Sequence, residues 1–140
     1  MISENELPGI VLALQRTTHH TLHALSSALA DLNLSAAEIN ALANLADRGA
    51  LNVRELSAET GTRSSTLTGV LDRLESRGYL SRELDPTDRR SFRLPLTEAG
   101  QAVAARVQAA VTDLERDALA GLSATQIAGF HTVVNALLET

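Results

Sequence analysis

The sequence predicts a mainly α-helical protein with one small β-hairpin, and three observations lead to this fold class. Apolar residues recur at spacings of three and four along most of the chain, which is the period of an amphipathic helix. The period changes to two only between residues 79 and 96, which indicates a short pair of strands. The 140 residues are 44% hydrophobic and 21% charged, a composition typical of one globular domain.

The chain begins with a predicted helix over residues 7–32 and continues with a second helix that ends near Asp47. Between them Ser35 and Glu38 have the spacing of a capping box, so the second helix starts directly after Ser35. Gly49 stands where a helix commonly ends in a glycine. The apolar stripe of the first helix consists of Leu7, Val11, Leu14, Thr18, Leu22, Leu25, Leu29 and Leu32.

Two shorter helices are predicted next, over residues 53–60 and residues 63–77. Gly61 closes the first of them, Thr62 is expected to cap the second, and Gly78 ends it. Two short helices that are joined by a tight turn containing glycine are typical of a helix-turn-helix.

A β-hairpin is predicted directly after these helices. Residues 79–84 and 91–96 have the alternation of strands, and the charged tip between them, residues 85–90, opens with Asp85 and Pro86, which favour a type I turn. The apolar positions of the two strands are Leu80, Leu84, Phe92, Leu94 and Leu96.

Two more helices complete the chain. Thr97 is expected to cap the fifth helix and Gly121 to end it, and Ser123 with Gln126 forms a further capping box at the start of the last helix. Their apolar stripes consist of Val103, Val107, Val111, Leu114, Ala118, Ile127, Phe130, Val133, Val134, Leu137 and Leu138.

This order of elements predicts a winged helix-turn-helix core flanked by N- and C-terminal dimerisation helices. The DNA-binding lobe is expected at residues 35–96, and the flanking helices at residues 1–34 and 97–140, all within a single domain of residues 1–140. The apolar faces of the flanking segments are wider than one small core requires, so we expect them to join two copies of the chain. The alternative is a monomeric bundle that uses those faces internally.

Charge is distributed unevenly along the chain. The net charge is −5, and all 12 basic residues are arginines. Nine of these arginines, against seven acids, lie between Arg48 and Arg93, whereas the rest of the chain has three arginines against ten acids. Arginine makes planar, bidentate contacts with phosphates and guanine edges, so the middle of the chain is suited to nucleic acid.

Two segments of the sequence resemble a known family. Residues 64–80, which read SSTLTGVLDRLESRGYL, resemble the recognition helix and first strand of MarR-family (multiple-antibiotic-resistance-type) regulators. The pattern D-x-R-x5-L-T from Asp88 to Thr97 is similar to the wing pattern of that family. The resemblance implies a homodimeric regulator of transcription, acting by repression or less often by activation, in which Asp88 orients Arg90 by an ion pair. It also implies a small, often aromatic and anionic, effector bound between the first helix and the DNA-binding lobe.

The residue types support DNA binding without that resemblance. A recognition helix needs short polar side chains near its N-terminus to enter the major groove, and a wing arginine fits the minor groove. Arg63 has the reach to contact a guanine edge, and other arginines are candidates for phosphate contacts. The alternative is a solvated helix start and a solvated charged turn. The predicted DNA-binding residues are Arg54, Arg63, Ser64, Ser65, Thr66, Thr68, Arg73, Arg82, Asp88, Arg89 and Arg90.

A histidine cluster on the first helix is the second candidate site. His19 and His23 are four residues apart, which is compatible with a metal, but no carboxylate partner is evident and the zincin motif is missing, so no metal site is predicted. The simplest interpretation is a polar flank of the helix. The sharper hypothesis is an effector site in which Arg16, His19 and His23 meet a carboxylate, with His20 pointing elsewhere.

Several classes of protein are disfavoured by the sequence. With no cysteine there is no thiol to sense peroxide, and without nucleophile, phosphate-loop or dinucleotide motifs we expect neither an enzyme nor a cofactor. No apolar run approaches roughly 18 residues, and Met1 to Pro8 lacks a basic stretch, so we expect a cytoplasmic protein with no signal peptide or membrane segment. The remaining alternative function is a winged-helix protein-interaction module without DNA binding, which the net negative charge favours.

Overall fold

The computed structural model describes residues 9–140 except for the side chain of Arg89. Six α-helices and one two-stranded hairpin are seen in this range, with a 3-10 turn at Ala30–Leu32 between the first two helices. In chain order the elements are α1 (Ile10–Ala28), α2 (Ala36–Arg48), α3 (Val53–Thr60), α4 (Ser64–Ser76), β1 (Glu83–Asp85), β2 (Asp88–Arg93), α5 (Glu98–Leu119) and α6 (Ala124–Leu138). The mainly α fold with a small hairpin, predicted from the sequence, is thus confirmed.

The chain divides into two compact units, and the boundary follows Ala110 inside α5. The first unit contains the core, which consists mainly of leucines from α2, α3 and α4 that lie on the apolar faces predicted from the helical period. The most deeply buried side chains of this core are Ile39, Leu42, Leu45, Leu56, Leu67, Val70, Leu71, Leu74, Leu94 and Val107.

The second unit, Val111–Thr140, has no such core. Its helix α6 contains no buried residue, although its composition is strongly apolar. Phe130 is 54% exposed and Leu138 is 77% exposed. Helix α6 thus leaves apolar side chains exposed that a folded chain usually covers.

Most of the predicted helix ends are confirmed by local hydrogen bonds. Ser35 and Glu38 form a reciprocal capping box, and so do Ser123 and Gln126. Thr97 Oγ1 accepts a hydrogen bond from the N–H of Gly100 at 3.0 Å, which caps α5. The glycines predicted at positions 49, 61 and 78 all have a positive φ, between 67° and 78°, which only glycine adopts without strain.

The first helix is shorter than the prediction of residues 7–32. It ends at Ala28, and the chain tightens into the 3-10 turn before Asn33, which has a left-handed φ of 53°; residues 7 and 8 lie outside the described residues. The leucine spacing continues across the break, so the period did not reveal it. The carbonyls of Leu32 and Asn33, which point out of this turn, accept hydrogen bonds from Arg77 at 2.7 and 3.0 Å.

The cap predicted at Thr62 is wrong. Arg63 is the N-cap residue of α4, and its side chain makes no capping hydrogen bond. Thr62 belongs to the turn instead, because its carbonyl accepts from the hydroxyl of Ser57 and its N–H donates to Thr60 Oγ1 at 3.3 Å. The backbone N–H groups of the first turn of α4 therefore lack a side-chain acceptor within the described part of the chain.

The hairpin turn begins at Asp85 and Pro86 as predicted, but it is shorter than the expected tip of residues 85–90. Asp85 pairs with Asp88 across the sheet, so only Pro86 and Thr87 form the turn. The carboxylate of Asp85 closes it by accepting from the N–H and the hydroxyl of Thr87 at 3.0 and 2.8 Å, an Asx turn. Arg90 consequently lies on strand β2 beside the tip, rather than in a loop.

The apolar positions of the hairpin divide into two groups. Leu80 and Leu94 are buried at the base, where Leu80 also pairs with Leu96. Leu84 and Phe92 pair with each other further out and are 69% and 43% exposed. A two-stranded hairpin that projects from the core has no element to cover its outer end. The apolar positions predicted for the two strands are therefore buried only at the base of the hairpin.

Gly100 sets the distance between α5 and the segment that follows α4. A Cβ at this position would lie 1.7 Å from the carbonyl oxygen of Tyr79. The same carbonyl accepts the N–H of Thr97 at 3.0 Å, and Thr97 Oγ1 donates to the carbonyl of Gly78. The start of α5 is thus fastened to the end of the helix-turn-helix by backbone contacts that only glycine permits.

Candidate nucleic-acid interface

The helix-turn-helix consists of α3, a turn at Gly61, and α4. Asn52 Oδ1 accepts from the N–H of Glu55 at 2.7 Å, and Glu55 Oε1 accepts from the N–H of Asn52 at 3.1 Å, so a capping box fixes the start of α3. This capping box was not predicted from the sequence, although the spacing Asn-x-x-Glu signals it. Because Leu67 and Val70 bury the inner face of α4, its first turn presents its polar residues to solvent.

The exposed first turn of α4 contains the residues that the sequence predicts for base contacts. Arg63, Ser64, Ser65 and Thr66 are all exposed. Thr68 is exposed as well, and its hydroxyl donates to the carbonyl of Ser64 at 2.9 Å, which leaves its lone pairs free to accept. Short hydroxyl side chains on an uncapped helix start allow the close approach of a phosphate or of a base edge.

A polar concavity of about 530 Å³ joins α3, α4 and the hairpin. Four of the predicted residues line it, Arg54, Ser64, Asp88 and Arg90. Three further residues, Val53, Ser57 and Ser91, were missed by the sequence analysis. Ser57 lies three residues after Arg54 on one face of α3, so helical spacing would have found it once Arg54 had been chosen.

Asp88 organises this concavity, but not in the way that the family resemblance implies. Its Oδ1 accepts the backbone N–H of Arg90 at 3.0 Å, and its Oδ2 lies 3.9 Å from Nη2 of Arg54. The ion-pair partner of Asp88 in the structure is therefore Arg54, and the expected ion pair with Arg90 is replaced by a backbone contact. The side chain of Arg54 remains 86% exposed and free to turn towards an anion.

The hairpin is anchored to the helix-turn-helix by a buried carboxylate. Asp85 is 3% exposed, accepts both hydrogen bonds from Thr87, and lies 3.5 Å from Nδ2 of Asn52 and 3.6 Å from Nε of Arg93. The hydrogen bonds from Thr87, with smaller contributions from Asn52 and Arg93, lower the pKa of Asp85 below its ordinary value of 3.8. A charged Asp85 thus holds the turn of the hairpin against the start of α3.

Two of the predicted phosphate contacts lie away from the concavity. The guanidinium of Arg82 pairs with Asp72 at 2.7 Å and with Glu75 at 3.3 Å. Arg73, in the last turn of α4, lies 3.9 Å from the buried carboxylate of Glu38. Both cations thus already have acidic partners. Neither of them lines the concavity together with Arg54 and Arg90. The side chain of Arg89 lies outside the described part of the chain.

The second candidate site, on α1, is not part of the polar concavity. Arg16, His19, His20 and His23 are all exposed. No group of three or more potential ligands for a metal ion is seen among the described residues. The sequence hypothesis of an effector site at Arg16, His19 and His23 therefore stays a prediction.

A mostly apolar cavity of about 540 Å³ lies elsewhere in the first unit. Leu45 and Ala46 at the end of α2, together with Gly49 and Ala50 after it, form one side, and residues 101–108 of α5 form the other. Pro95 and Leu96 close its base. This cavity was not predicted from the sequence, because its walls come from segments that are far apart in the chain.

No helix in residues 9–140 is long and apolar enough to cross a membrane.

Comparison with known proteins extends these findings. Residues 34–92, which include the helix-turn-helix and most of the hairpin, match the model of the MarR family. The transcriptional regulator PecS of Dickeya dadantii is 38% identical over 103 residues, which is 71% of this chain and 62% of PecS. The chain thus spans less than two thirds of that relative.

Solved structures match over more of the chain. A MarR-family regulator from Silicibacter pomeroyi is 29% identical with a TM-score of 0.78, and the match covers 93% of this chain and 88% of that one. CouR from Rhodococcus jostii, solved with p-coumaroyl-CoA, is 26% identical with a TM-score of 0.80, over 91% and 90% of the two chains. The matched segment contains the concavity described above, and the likeness of fold extends into the flanking helices. Residues 34–92 thus form a MarR-family domain, and the fold of the chain is similar to that of a solved MarR-family regulator.

Proposed function

We propose that this protein is a transcription regulator that binds double-stranded DNA as a homodimer and represses the genes next to a pseudo-palindromic operator. The observation that carries the proposal is the concavity at which Arg54, Ser64 and Arg90 meet. It combines two cations, hydroxyl donors and an adjacent uncapped helix start, which together suit the phosphate backbone of a duplex. PecS, which is similar in sequence, is named a transcriptional regulator.

The proposed contacts follow from the placement of α4. Its first turn enters the major groove, where Arg63 meets a guanine edge and the hydroxyls of Ser65 and Thr66 contact bases or phosphates. Arg90, on the flank of the hairpin, approaches the neighbouring minor groove, and Arg54 exchanges Asp88 for a phosphate. The middle of the chain supplies the positive charge for this interface, although the whole chain has a net charge of −5.

Dimerisation is proposed from the apolar side chains that the two units leave uncovered. On α1, Ile10, Val11 and Leu12 are 47%, 52% and 68% exposed. On α6, no residue is buried at all. If two copies cover these faces of each other, the dimer presents two reading heads, each consisting of one helix-turn-helix with its hairpin. A pseudo-palindromic site requires this arrangement.

We also propose that an aromatic or anionic small molecule regulates the protein from the apolar cavity between α2 and α5. Its volume of about 540 Å³ is in the range of drug-sized ligand sites. CouR, of similar fold, was solved with a coenzyme A ester of an aromatic acid. Gln101 and Gln108 supply polar groups at the rim, whereas Arg16, His19 and His23 do not line this cavity.

Selection of duplexes from a random-sequence pool tests the proposed function. We expect the wild-type protein to enrich an inverted repeat with half-sites about one helical turn apart. The Arg54→Ala/Arg90→Ala variant should lose that enrichment. Arg48→Ala is the matched control, because Arg48 is an exposed arginine that forms an ion pair with Glu59 and does not line the concavity. A pool without any enriched sequence would favour the alternative, a winged-helix module that binds protein and not DNA.

The effector proposal has a separate test. Titration of the complex with 4-hydroxybenzoate or a related aromatic acid should release the duplex, and Ala105→Trp, which fills the cavity, should abolish release without weakening DNA binding. Release that persists in Ala105→Trp but disappears in His19→Ala/His23→Ala would move the effector to α1.

A further inference from the structure

We propose that Arg77 and Arg106 are positioning residues that fix the recognition helix α4 to the joint between α1 and α2, and that they thereby set which half-site spacing the protein accepts. The joint is the 3-10 turn Ala30–Leu32 together with Asn33. This inference rests on the proposed function, since half-site spacing has meaning only for a dimer that binds DNA.

Arg77 connects the end of α4 to the joint. It is the C-cap residue of α4, and its two terminal nitrogens donate to the carbonyls of Leu32 and Asn33 at 2.7 and 3.0 Å. Its guanidinium also lies 5.0 Å above the ring of Tyr79. Only a planar guanidinium makes two divergent hydrogen bonds while it stacks on an aromatic ring, so lysine cannot replace it.

Arg106 holds the same joint from the side of α5. It makes hydrogen bonds to both carboxylate oxygens of Asp31, the middle residue of the 3-10 turn. This forked geometry fixes the direction of the contact as well as its length. The pairing lowers the pKa of Asp31 and raises that of Arg106, in agreement with a contact between charged groups.

A buried carboxylate makes the contact of Arg77 more consequential. Glu38 is 5% exposed, and its Oε2 has no hydrogen-bond partner in the described structure. The nearest cation to Oε2 is Nη1 of Arg77 at 3.6 Å, while Arg73 approaches the other oxygen at 3.9 Å. Removal of Arg77 would leave a buried charge with less compensation, so water would have to enter beside Glu38 and the joint would loosen.

Loss of these contacts should change the orientation of α4 relative to the proposed dimer surfaces, and not the affinity for a single half-site. None of the three residues Asp31, Arg77 and Arg106 lines the concavity of Arg54, Ser64 and Arg90. They connect α4, which reads the half-site, to α1 and α5, which lead to the proposed dimer surfaces. A loosened joint would let each reading head rotate on its own, so duplexes with altered spacing would bind almost as well as the selected one.

The test compares duplexes that contain the half-site recovered by the wild-type protein from a random-sequence pool. The duplexes carry two half-sites at the selected spacing, two half-sites moved apart or together by one or two base pairs, or one half-site alone. We expect wild type and Arg48→Gln, an exposed control that lacks contact with the joint, to prefer the selected spacing by roughly tenfold or more. In Arg77→Gln and Arg106→Gln this preference should fall to about threefold or less, with unchanged affinity for one half-site.

Two results would overturn the proposal. One is a spacing preference in both variants that stays within about twofold of the preference of Arg48→Gln. The other is a loss of affinity for the single half-site that accounts for the whole effect. Where Arg77→Gln does not fold, Asp31→Asn decides between the outcomes, because Asp31 is exposed and, among the described residues, contacts the joint's other side through its fork with Arg106. Failure of wild type to enrich any duplex would instead refute the proposed function.

Discussion

The most demanding structural prediction concerns the Gly100→Ala variant. The added Cβ would lie 1.7 Å from the carbonyl oxygen of Tyr79 and 2.7 Å from its carbonyl carbon. Both atoms are backbone, so no flexible side chain can give way. To reach a separation of 3.0 Å, the start of α5 must retreat by about 1.3 Å from the segment that follows α4. That retreat would break the hydrogen bond from Thr97 to Tyr79.

The expected loss of stability follows from these contacts. Overpacking of this kind destabilises a fold by about 1–3 kcal/mol, and the lost hydrogen bond adds about 1 kcal/mol. Alanine regains about 1 kcal/mol through its higher helix propensity. We therefore expect the free energy of unfolding of Gly100→Ala to fall by roughly 1–3 kcal/mol.

Urea denaturation followed by far-ultraviolet circular dichroism measures this loss, at one protein concentration because a dimer unfolds in a concentration-dependent way. Gly69→Ala is the matched control. Its Cβ would lie 3.5 Å from Nη1 of Arg73, an ordinary contact, and helix propensity should stabilise it by up to about 1 kcal/mol. If Gly100→Ala were as stable as Gly69→Ala, the close approach of α5 to Tyr79 would be wrong.

Three further predictions concern the interface. Asp85→Asn should destabilise the protein at neutral pH, because folding lowers the pKa of Asp85. The difference in free energy of unfolding from wild type should be full above about pH 4 and should shrink as the pH falls through the folded-state pKa. A difference that does not depend on pH would contradict this prediction. Arg90→Ala should lose most of the affinity for the selected duplex while its stability changes by less than about 0.5 kcal/mol, and affinity within twofold of wild type would rule out the role of the hairpin. Arg63→Ala should relax sequence preference at a loss of about 1–3 kcal/mol on the selected duplex, whereas Arg54→Ala should weaken all duplexes alike; equal losses of Arg63→Ala on selected and scrambled duplexes would make Arg63 a phosphate contact.

Much of the fold could be predicted because its signals are local. The capping box of Ser35 and Glu38 and the glycine at position 61 act within four residues, so they could be predicted from the sequence. The end of α1 at Ala28 was not predictable in this way, because the turn after it is stabilised by Arg77 from a distant part of the chain. The hairpin turn that opens with Asp85 and Pro86 was predictable, because the side chain of Asp85 closes it on Thr87, only two residues along the chain.

The candidate interface was predicted in part. The residues of the first turn of α4, together with Arg54 and Arg90, follow from residue type and element order. The partnership of Asp88 with Arg54 depends on how α3 packs against the hairpin, which no local pattern encodes. The cavity between α2 and α5 likewise forms from segments about 50 residues apart, so no local pattern in the sequence indicates it. The effector site was therefore predicted at the histidines of α1 instead.

The salt dependence of duplex binding tests the central claim most directly. For the duplex that the wild-type protein selects, the logarithm of the association constant should fall linearly with the logarithm of salt concentration. Each neutralised phosphate contributes a slope of about −0.9, so a dimer that uses Arg54 and further contacts in each reading head should give a slope of roughly −4 or steeper. A slope near zero, or equal slopes for wild type and Arg54→Ala, would contradict the assignment of this concavity to the DNA backbone.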